Sequence, residues 1–414
     1  MYCLIRIRHK SWSHLIAHFA FVPLSFEILC KYTNFFFFNN LLRKKFIRLH
    51  TFYNFANSFY NTNLQTSPGM IQFQCDYNEG AHPAIMQRLC ETNMEQTVGY
   101  GEDSYCAQAR RAIIEVIDCP DASVHFLVGG TQANTTVIAS LLRPYQGVIC
   151  AQTGHINVHE TGAIEHTGHK VLALPEKAGK ISALQIEQTV AEHLAEDGPE
   201  HMVQPGMVYI SFPTEIGTIY SKQELSNIYS TCRRLNLPLF IDGARLGYGL
   251  ASPECDITIT DLPHLCDVFY IGGTKVGALF GEAVVFTNRL FDVRDFRYHI
   301  KQQGAMLAKG RLLGIQFLTL FSQNLYFEIS LHAVKQALRI RDAFARRGIE
   351  FLVESSTNQQ FPILTTEQIE VLGKQFVFSP WTRIDDSRTA VRFCTSWATR
   401  PEAVDALIAT IENL

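Results

Sequence analysis

The chain lacks several things at once. It has 11 cysteines but no C-x-x-C pair. An odd, scattered set without that spacing excludes a disulfide framework and a zinc ribbon, and is expected of reduced thiols in a cytoplasmic protein. No run of about 20 residues is apolar enough to span a bilayer, so no membrane segment is expected. Positive charge is also short: 36 Lys and Arg stand against 39 Asp and Glu, a net charge of −3, which excludes electrostatic binding of nucleic acid. What remains is the composition of a soluble globular protein, 47% hydrophobic and 18% charged.

The charge is unevenly spread. Residues 1–69 hold eight Lys and Arg and one acid, Glu27, leaving 28 basic and 38 acidic residues, about −10, for 70–414. "HLIAHFAFVPLSFEILC" after Arg6, Arg8 and Lys10 imitates a signal peptide, but Glu27 interrupts it and no small-residue cleavage site follows. Residues 1–69 are therefore set outside the core. Met70, directly after "SPG", is the expected natural start, with a targeting segment or a genuine extension as the alternatives. At 414 residues the chain exceeds the size of one hydrophobic core, which suggests a large and a smaller domain.

From Met70 onward, short apolar runs alternate with amphipathic stretches. "SVHFLVGG", "GVICAQ", "KVLALP", "MVYISFP", "LPLFIDGA", "DVFYIGG" and "EAVVFT" read as strands. "TQANTTVIASLL", "SALQIEQTVAEHLAED" and "SKQELSNIYSTCRRLN" read as helices, the last opened by a capping box of Ser221 and Glu224. Strands buried on both faces and separated by helices predict an α/β fold with a mostly parallel sheet. Residues 312–348 read as one or two long helices bridging to a small α+β domain built from "EFLVE", "QQFPILT", "FVFSP", "AVRFCTS" and a closing helix. The expected division is 70–320 for the large domain and 321–414 for the small one.

In such sheets functional groups gather at the carboxyl ends of the strands. Three such ends are unusual. After "HFLV" come Gly129, Gly130 and Thr131 and then a helix, whose free N–H groups suit a phosphate, although the turn has neither G-x-G-x-x-G nor GK[ST]. After "LFI" comes Asp242, which costs desolvation unless it meets a cation, either Arg245 or a protonated pyridine. After "VFYIGGT" comes Lys275, an ion-pair member or a working amine. A phosphate cup, a buried acid and a strand-end lysine match the phosphate, ring nitrogen and aldehyde of pyridoxal 5′-phosphate, with the aldehyde in Schiff-base linkage to the lysine. His155, His159, His166 and His169 would in isolation suit a metal. Their order is not H-E-x-x-H and Gly162 and Gly168 break the helix, so no metal is expected.

The motifs "VGYGEDSY", "VGGTQAN", "GHINVHETGAIE", "IDGARLGYG", "IGGTKVGALFG" and "VRFCTS" resemble the threonine aldolase and β-eliminating lyase family of fold-type-I pyridoxal-phosphate enzymes, from about residue 72 to 414. The resemblance implies that fold, pyridoxal phosphate as cofactor, a small amino-acid substrate and a homodimer or homotetramer. It implies that Lys275 carries the cofactor with Thr274 beside it, Asp242 holds the pyridinium, Gly130 and Thr131 bind phosphate and His155 stacks on the ring. It places Arg245 near the cofactor and Arg392 on the substrate carboxylate. Lys275, His155 and Asp242 would then be catalytic.

Three positions depart from the family pattern. Cys75 and Ser396 replace a serine and a histidine, and Glu215 in "PTEIGT" stands near the place of a histidine associated with the substrate's β-hydroxyl. The expected activity is cleavage of a β-hydroxy-α-amino acid, of L-threonine or L-allo-threonine type, to glycine and an aldehyde. His155 and Glu215 are the candidate bases for the β-hydroxyl. The departures keep β-elimination and transamination open.

Overall fold

The computed structural model describes residues 69–287 and 295–414; the expectations for residues 1–68 lie outside the described residues. After a short strand β1 (Ile71–Gln72), seven strands build the central sheet: β2 (Ser123–Leu127), β3 (Gln146–Ala151), β4 (Val171–Leu174), β5 (Gln204–Ser211), β6 (Leu239–Asp242), β7 (Val268–Gly272) and β8 (Glu282–Phe286). Each matches one of the apolar runs read from the sequence. Their order is β2-β8-β7-β6-β5-β3-β4. The pairs from β4 through β7 are parallel, whereas β8 runs antiparallel to both β7 and β2. Residues 273–281 between β7 and β8 are too few for a crossover, so this link is a hairpin.

The apolar runs are continuous because both sheet faces are covered. Ile241, Phe269 and Ile271 enter one hydrophobic cluster, while Phe240, Val268 and Tyr270 enter the cluster on the opposite face. This is the two-residue alternation of a strand. Helices Gly130–Leu141, Ala183–Ala195 and Lys222–Arg234 flank the sheet, and the last two open on capping boxes, Ser182 with Gln185 and Ser221 with Glu224. The long helical stretch is two helices, Arg311–Phe321 and Leu325–Arg346, parted at Gln323 and Asn324, whose φ angles of 57° and 62° are left-handed.

A second, smaller sheet region follows: β9 (Gln359–Gln360), β10 (Ile363–Thr365), β11 (Phe376–Val377), β12 (Ser379–Arg383) and β13 (Arg388–Cys394), closed by the helix Pro401–Ile411. Strand β13 pairs antiparallel with β9, β10 and β12. A third cluster, including Phe73, Phe344, Val391, Phe393 and Leu407, forms its core. The expected strand "EFLVE" reduces to one isolated bridge between Phe351 and Pro362. Strand β1 pairs with β11 in a separate two-stranded ribbon, which brings the start of the described chain to the C-terminal region.

Candidate active site

The carboxyl ends of β5, β6 and β7 open on a solvent-open cleft, about 390 Å³ of empty space, lined by Gly130, Asn134, His155, Ser211, Pro213, Glu215, Asp242, Ala244, Arg245, Tyr270 and Lys275. The glycines flanking the two functional side chains answer a packing need. A Cβ on Gly243 would lie 1.9 Å from the Tyr270 carbonyl oxygen, and one on Gly272 would lie 2.3 Å from that of Ala244. The turns after β6 and β7 thus touch backbone to backbone, with the Gly272 N–H donating to the Gly243 carbonyl at 2.9 Å. That contact sets Asp242 and Lys275 beside each other's strands. The turn past β7 is also pinned by the Tyr248 hydroxyl, which donates to the Lys275 carbonyl at 2.5 Å. Burial, then the Arg245 charge, lowers the pKa of the Lys275 amine, while Asp76, Glu282 and Asp242 pull the other way. A buried lysine amine whose pKa is lowered in this way suits covalent capture of an aldehyde.

Asp242 is buried and collects four donors. Tyr270 O–H and the Ala244 N–H reach Oδ1 at 2.5 and 3.0 Å, and Tyr209 O–H and Asn134 Nδ2 reach Oδ2 at 2.5 and 3.1 Å. Burial alone would push its carboxyl up; the His155 charge and these hydrogen bonds more than offset that and hold it below the usual carboxylate value. Asp242 is therefore an anion on the cavity floor, as a ring-nitrogen partner must be. It does not pair with Arg245, which corrects that structural alternative. Arg245 instead grips Asp76 with two hydrogen bonds, Nε to Oδ2 at 2.6 Å and Nη2 to Oδ1 at 3.0 Å.

His155 begins the short helix His155–Val158 at the end of β3. Its Nδ1 lies 2.7 Å from buried Glu160 Oε1, and its backbone N–H donates to Glu215 Oε1 at 2.9 Å. Burial would lower the imidazole's pKa, but Glu160 and Asp242 outweigh it and raise it. Glu160 also accepts from Asn134 Nδ2 at 2.8 Å. Glu215 accepts the Ser211 hydroxyl at 2.5 Å, and its removal from water raises its pKa. Of the other histidines, His169 is buried with Nδ1 3.1 Å from the Gln146 carbonyl oxygen, and His159 and His166 are exposed.

The helix Gly130–Leu141 starts at the cavity wall. The N–H groups of its first turn have no carbonyl inside the helix to bond, and its positive dipole end faces the cavity. An amine, an anion, an imidazole and this anion-binding turn on one cavity fit pyridoxal phosphate's aldehyde, ring nitrogen, ring face and phosphate.

Three expected site residues are not among the lining side chains. Thr131 sits in the helix's first turn with an exposed side chain. Thr274 gives its hydroxyl to Glu282 Oε1 at 2.8 Å and accepts from the Gly281 N–H at 3.1 Å, so it braces the turn that carries Lys275. Arg392, on β13, donates to the Gln74 carbonyl at 2.9 Å and to Gln359 Oε1 at 3.3 Å and lies over the Trp381 ring. Its buried Nε has no partner among the described residues.

Comparison with known proteins agrees with this geometry. The model of the beta-eliminating lyases matches residues 72–361. The chain belongs to that family. Among family members, it is 31% identical over 346 residues to the low specificity L-threonine aldolase of Pseudomonas aeruginosa, covering 82% of this chain and 96% of that one. The solved structure of Leishmania major threonine aldolase superposes with a TM-score of 0.80 at 44% identity, over 83% of this chain and 99% of that chain. A histidinol-phosphate aminotransferase of Clostridium acetobutylicum matches with a TM-score of 0.63 at 12% identity, which fixes the fold as fold-type I.

Sequence reading missed the residues that hold this beta-eliminating lyase site together: Asp76, Asn134, Glu160, Tyr209, Ser211, Tyr270 and Glu282. Two carried a signal. Asp76 lies in the opening segment beside the noted Cys75, and Glu160 lies in the quoted "HETG". The two tyrosines sit inside strands, where an aromatic reads as core.

Proposed function

We propose that this chain is a pyridoxal-phosphate-dependent aldolase that cleaves a β-hydroxy-α-amino acid, of L-threonine or L-allo-threonine type, to glycine and an aldehyde. The observation that carries the reading is the convergence of Lys275, Asp242 and the Gly130 helix start on one cavity. The likeness to threonine aldolases over four-fifths of the chain supports it. Gly130 and Thr131 hold the phosphate through backbone N–H groups, Asp242 keeps the ring nitrogen protonated, His155 covers the ring and Lys275 is the attachment point. When bound, the cofactor supplies an electron sink for the bond broken at Cα. Arg392 orients the substrate carboxylate and so selects which Cα bond is aligned for cleavage, with Arg245 beside the cofactor. Glu215 or His155, whose backbone N–H donates to Glu215 Oε1, receives the β-hydroxyl proton.

The enzyme works as a homodimer or homotetramer in the cytoplasm, with 70–320 as the large domain and 321–414 as the small one. Support for assembly comes from Met94, Val98, Tyr100 and Tyr298, which are 88, 67, 48 and 77% exposed. Apolar side chains so exposed are at home in an interface. The deciding experiment incubates the purified protein with a panel of β-hydroxy amino acids and measures glycine and aldehyde. Release of ammonia and a keto acid instead would make it an eliminating lyase.

A further inference from the structure

The side chain of Glu160 is fully buried, and both of its hydrogen bonds fall on one oxygen. Oε1 meets His155 Nδ1 at 2.7 Å and the Asn134 amide at 2.8 Å, whereas Oε2 is buried with no partner among the described residues. A carboxylate that served only the packing of the core would spread its donors over both oxygens. This one is directed at a single imidazole and at the amide that also reaches Asp242 Oδ2 at 3.1 Å. The backbone bends to bring it there. His155 opens one helical turn, His155–Val158, and Glu160 comes back to it from beyond His159. Thr161 and Gly162 then both take left-handed φ angles, 53° and 72°. Glycine adopts that region freely, but a β-branched threonine does so only where its surroundings hold it.

With Glu160 as acceptor, a neutral His155 carries its hydrogen on Nδ1 and its lone pair on Nε2. Nε2 has no partner among the described residues, and the side chain is 36% exposed where it lines the cleft. The imidazole is thus held by one nitrogen and open at the other.

We propose that Glu160 is a positioning residue: through Nδ1 it fixes the tautomer and the charge of His155, so that Nε2 is the atom that takes the substrate's β-hydroxyl proton. The proposal rests on the aldolase reading for its substrate. The hydroxyl hydrogen moves to Nε2, and its electron pair becomes the second bond of the aldehyde carbonyl as Cα–Cβ breaks. The pair left on Cα takes up one proton, which completes glycine, and Nε2 gives one up, which resets the imidazole. Glu160 keeps the Nδ1 hydrogen bond throughout and meets the positive charge that forms on the ring. The charged groups facing that ring are Glu160, Asp242 from β6 and Lys275 from the turn past β7, with the His159 ring centre 5.4 Å away. Burial lowers the imidazole's pKa and Lys275 adds to that, but the Glu160 hydrogen bond and the Asp242 charge outweigh them and raise it.

Two readouts test this. Nitrogen-15 NMR of the cofactor-free full-length chain, with the His155 signals assigned from their loss in His155→Gln, is expected to show the neutral ring protonated on Nδ1. Glu160→Gln keeps the shape and removes the charge, and is expected to move the His155 titration to lower pH. A neutral ring protonated on Nε2, or a titration that Glu160→Gln leaves in place, overturns the proposal. In the holoenzyme, Glu160→Gln is expected to lower kcat by about tenfold or more with KM within about twofold, since positioned proton transfer is worth roughly 10²–10⁴ in rate. The acid limb of the kcat–pH profile is expected to move to lower pH with it. In the His155→Gln background, Glu160→Gln is expected to cost less than about a further twofold, because residues that act as a unit are not additive. Losses that multiply in the double variant would make Glu160 a support of the fold alone and overturn the proposal. If wild-type enzyme releases no glycine from any β-hydroxy amino acid, the aldolase reading fails by itself, and the NMR arm still decides the Glu160–His155 pair.

Discussion

Asp242→Asn is the most informative single substitution, because the four donors around this side chain fix what it must do. An amide replaces one carboxylate oxygen with an NH₂ group. If the NH₂ takes the Oδ2 position, Tyr209 can turn its hydroxyl to accept, but Asn134 Nδ2 cannot. If it takes the Oδ1 position, Tyr270 can turn, but the Ala244 N–H cannot. Either way one buried donor is stranded, at a cost of about 1–3 kcal/mol. Chemical denaturation of the cofactor-free chain is expected to show that loss with an unchanged m-value. The catalytic effect is larger. On the proposed role, the anion that would keep the ring nitrogen protonated is gone, and losing one preorganised electrostatic partner is expected to lower kcat by roughly 10²–10³-fold. The assay is glycine release at saturating cofactor and substrate, beside a spectrum showing that cofactor still binds. Wild-type turnover with bound cofactor would refute the reasoning and reduce Asp242 to a structural node for two tyrosines.

Other substitutions separate the remaining roles. Lys275→Ala is expected to abolish turnover and the yellow colour together, and borohydride reduction of the wild-type enzyme followed by peptide mapping is expected to label Lys275 alone. Arg245→Met leaves Asp76 buried with its main counter-charge removed, a loss of about 3–5 kcal/mol readable by chemical denaturation. Glu282 holds its proton up to about pH 8, chiefly through burial, against an ordinary value of 4.5. The folded chain therefore binds more protons than the unfolded one between those values, so this group's contribution to stability falls as pH rises from 4.5 to 8 and is level above. Glu282→Gln is expected to remove that slope, at most about 1.4 kcal/mol per pH unit, from a stability–pH curve. A chain beginning at Met70 is expected to be soluble and as active as the full chain, by direct comparison of specific activity.

The parts legible in the sequence were those that leave a local mark. Continuous apolar runs gave all seven strands of the central sheet, and the glycine or aspartate after β2, β6 and β7 marked the strand ends that carry Gly130, Asp242 and Lys275. The antiparallel turn of β8 was legible in principle, from the short link after Lys275, but a general expectation of parallel strands covered it. The polar ring was not legible. Asn134 reaches Asp242 across 108 positions, Glu215 reaches His155 across 60, and Arg245 reaches Asp76 across 169. No spacing rule connects such pairs, since only the sheet order brings them together. Thr274 shows a contact no local pattern announces: its place beside the lysine suggested a cofactor neighbour, and its hydroxyl also donates to Glu282, eight residues on in the next strand.

The opening segment has a consequence for handling the protein. Within six residues it is fastened at three places: Ile71 and Gln72 lie along Phe376 and Val377, the Phe73 carbonyl accepts from the Cys394 N–H at 2.7 Å, and Asp76 holds Arg245 and the Asn358 amide. The front of the chain is thus a buckle between the small sheet and the wall of the cavity. A ladder of N-terminal truncations would meet a cliff rather than a slope. Cuts ending before Met70 spare the buckle, whereas one past Asp76 releases β11 and the Cys394 N–H and strands the Arg245 guanidinium in a single step. An affinity tag or a protease site belongs upstream of that clasp, with a spacer long enough to leave β1 free to pair.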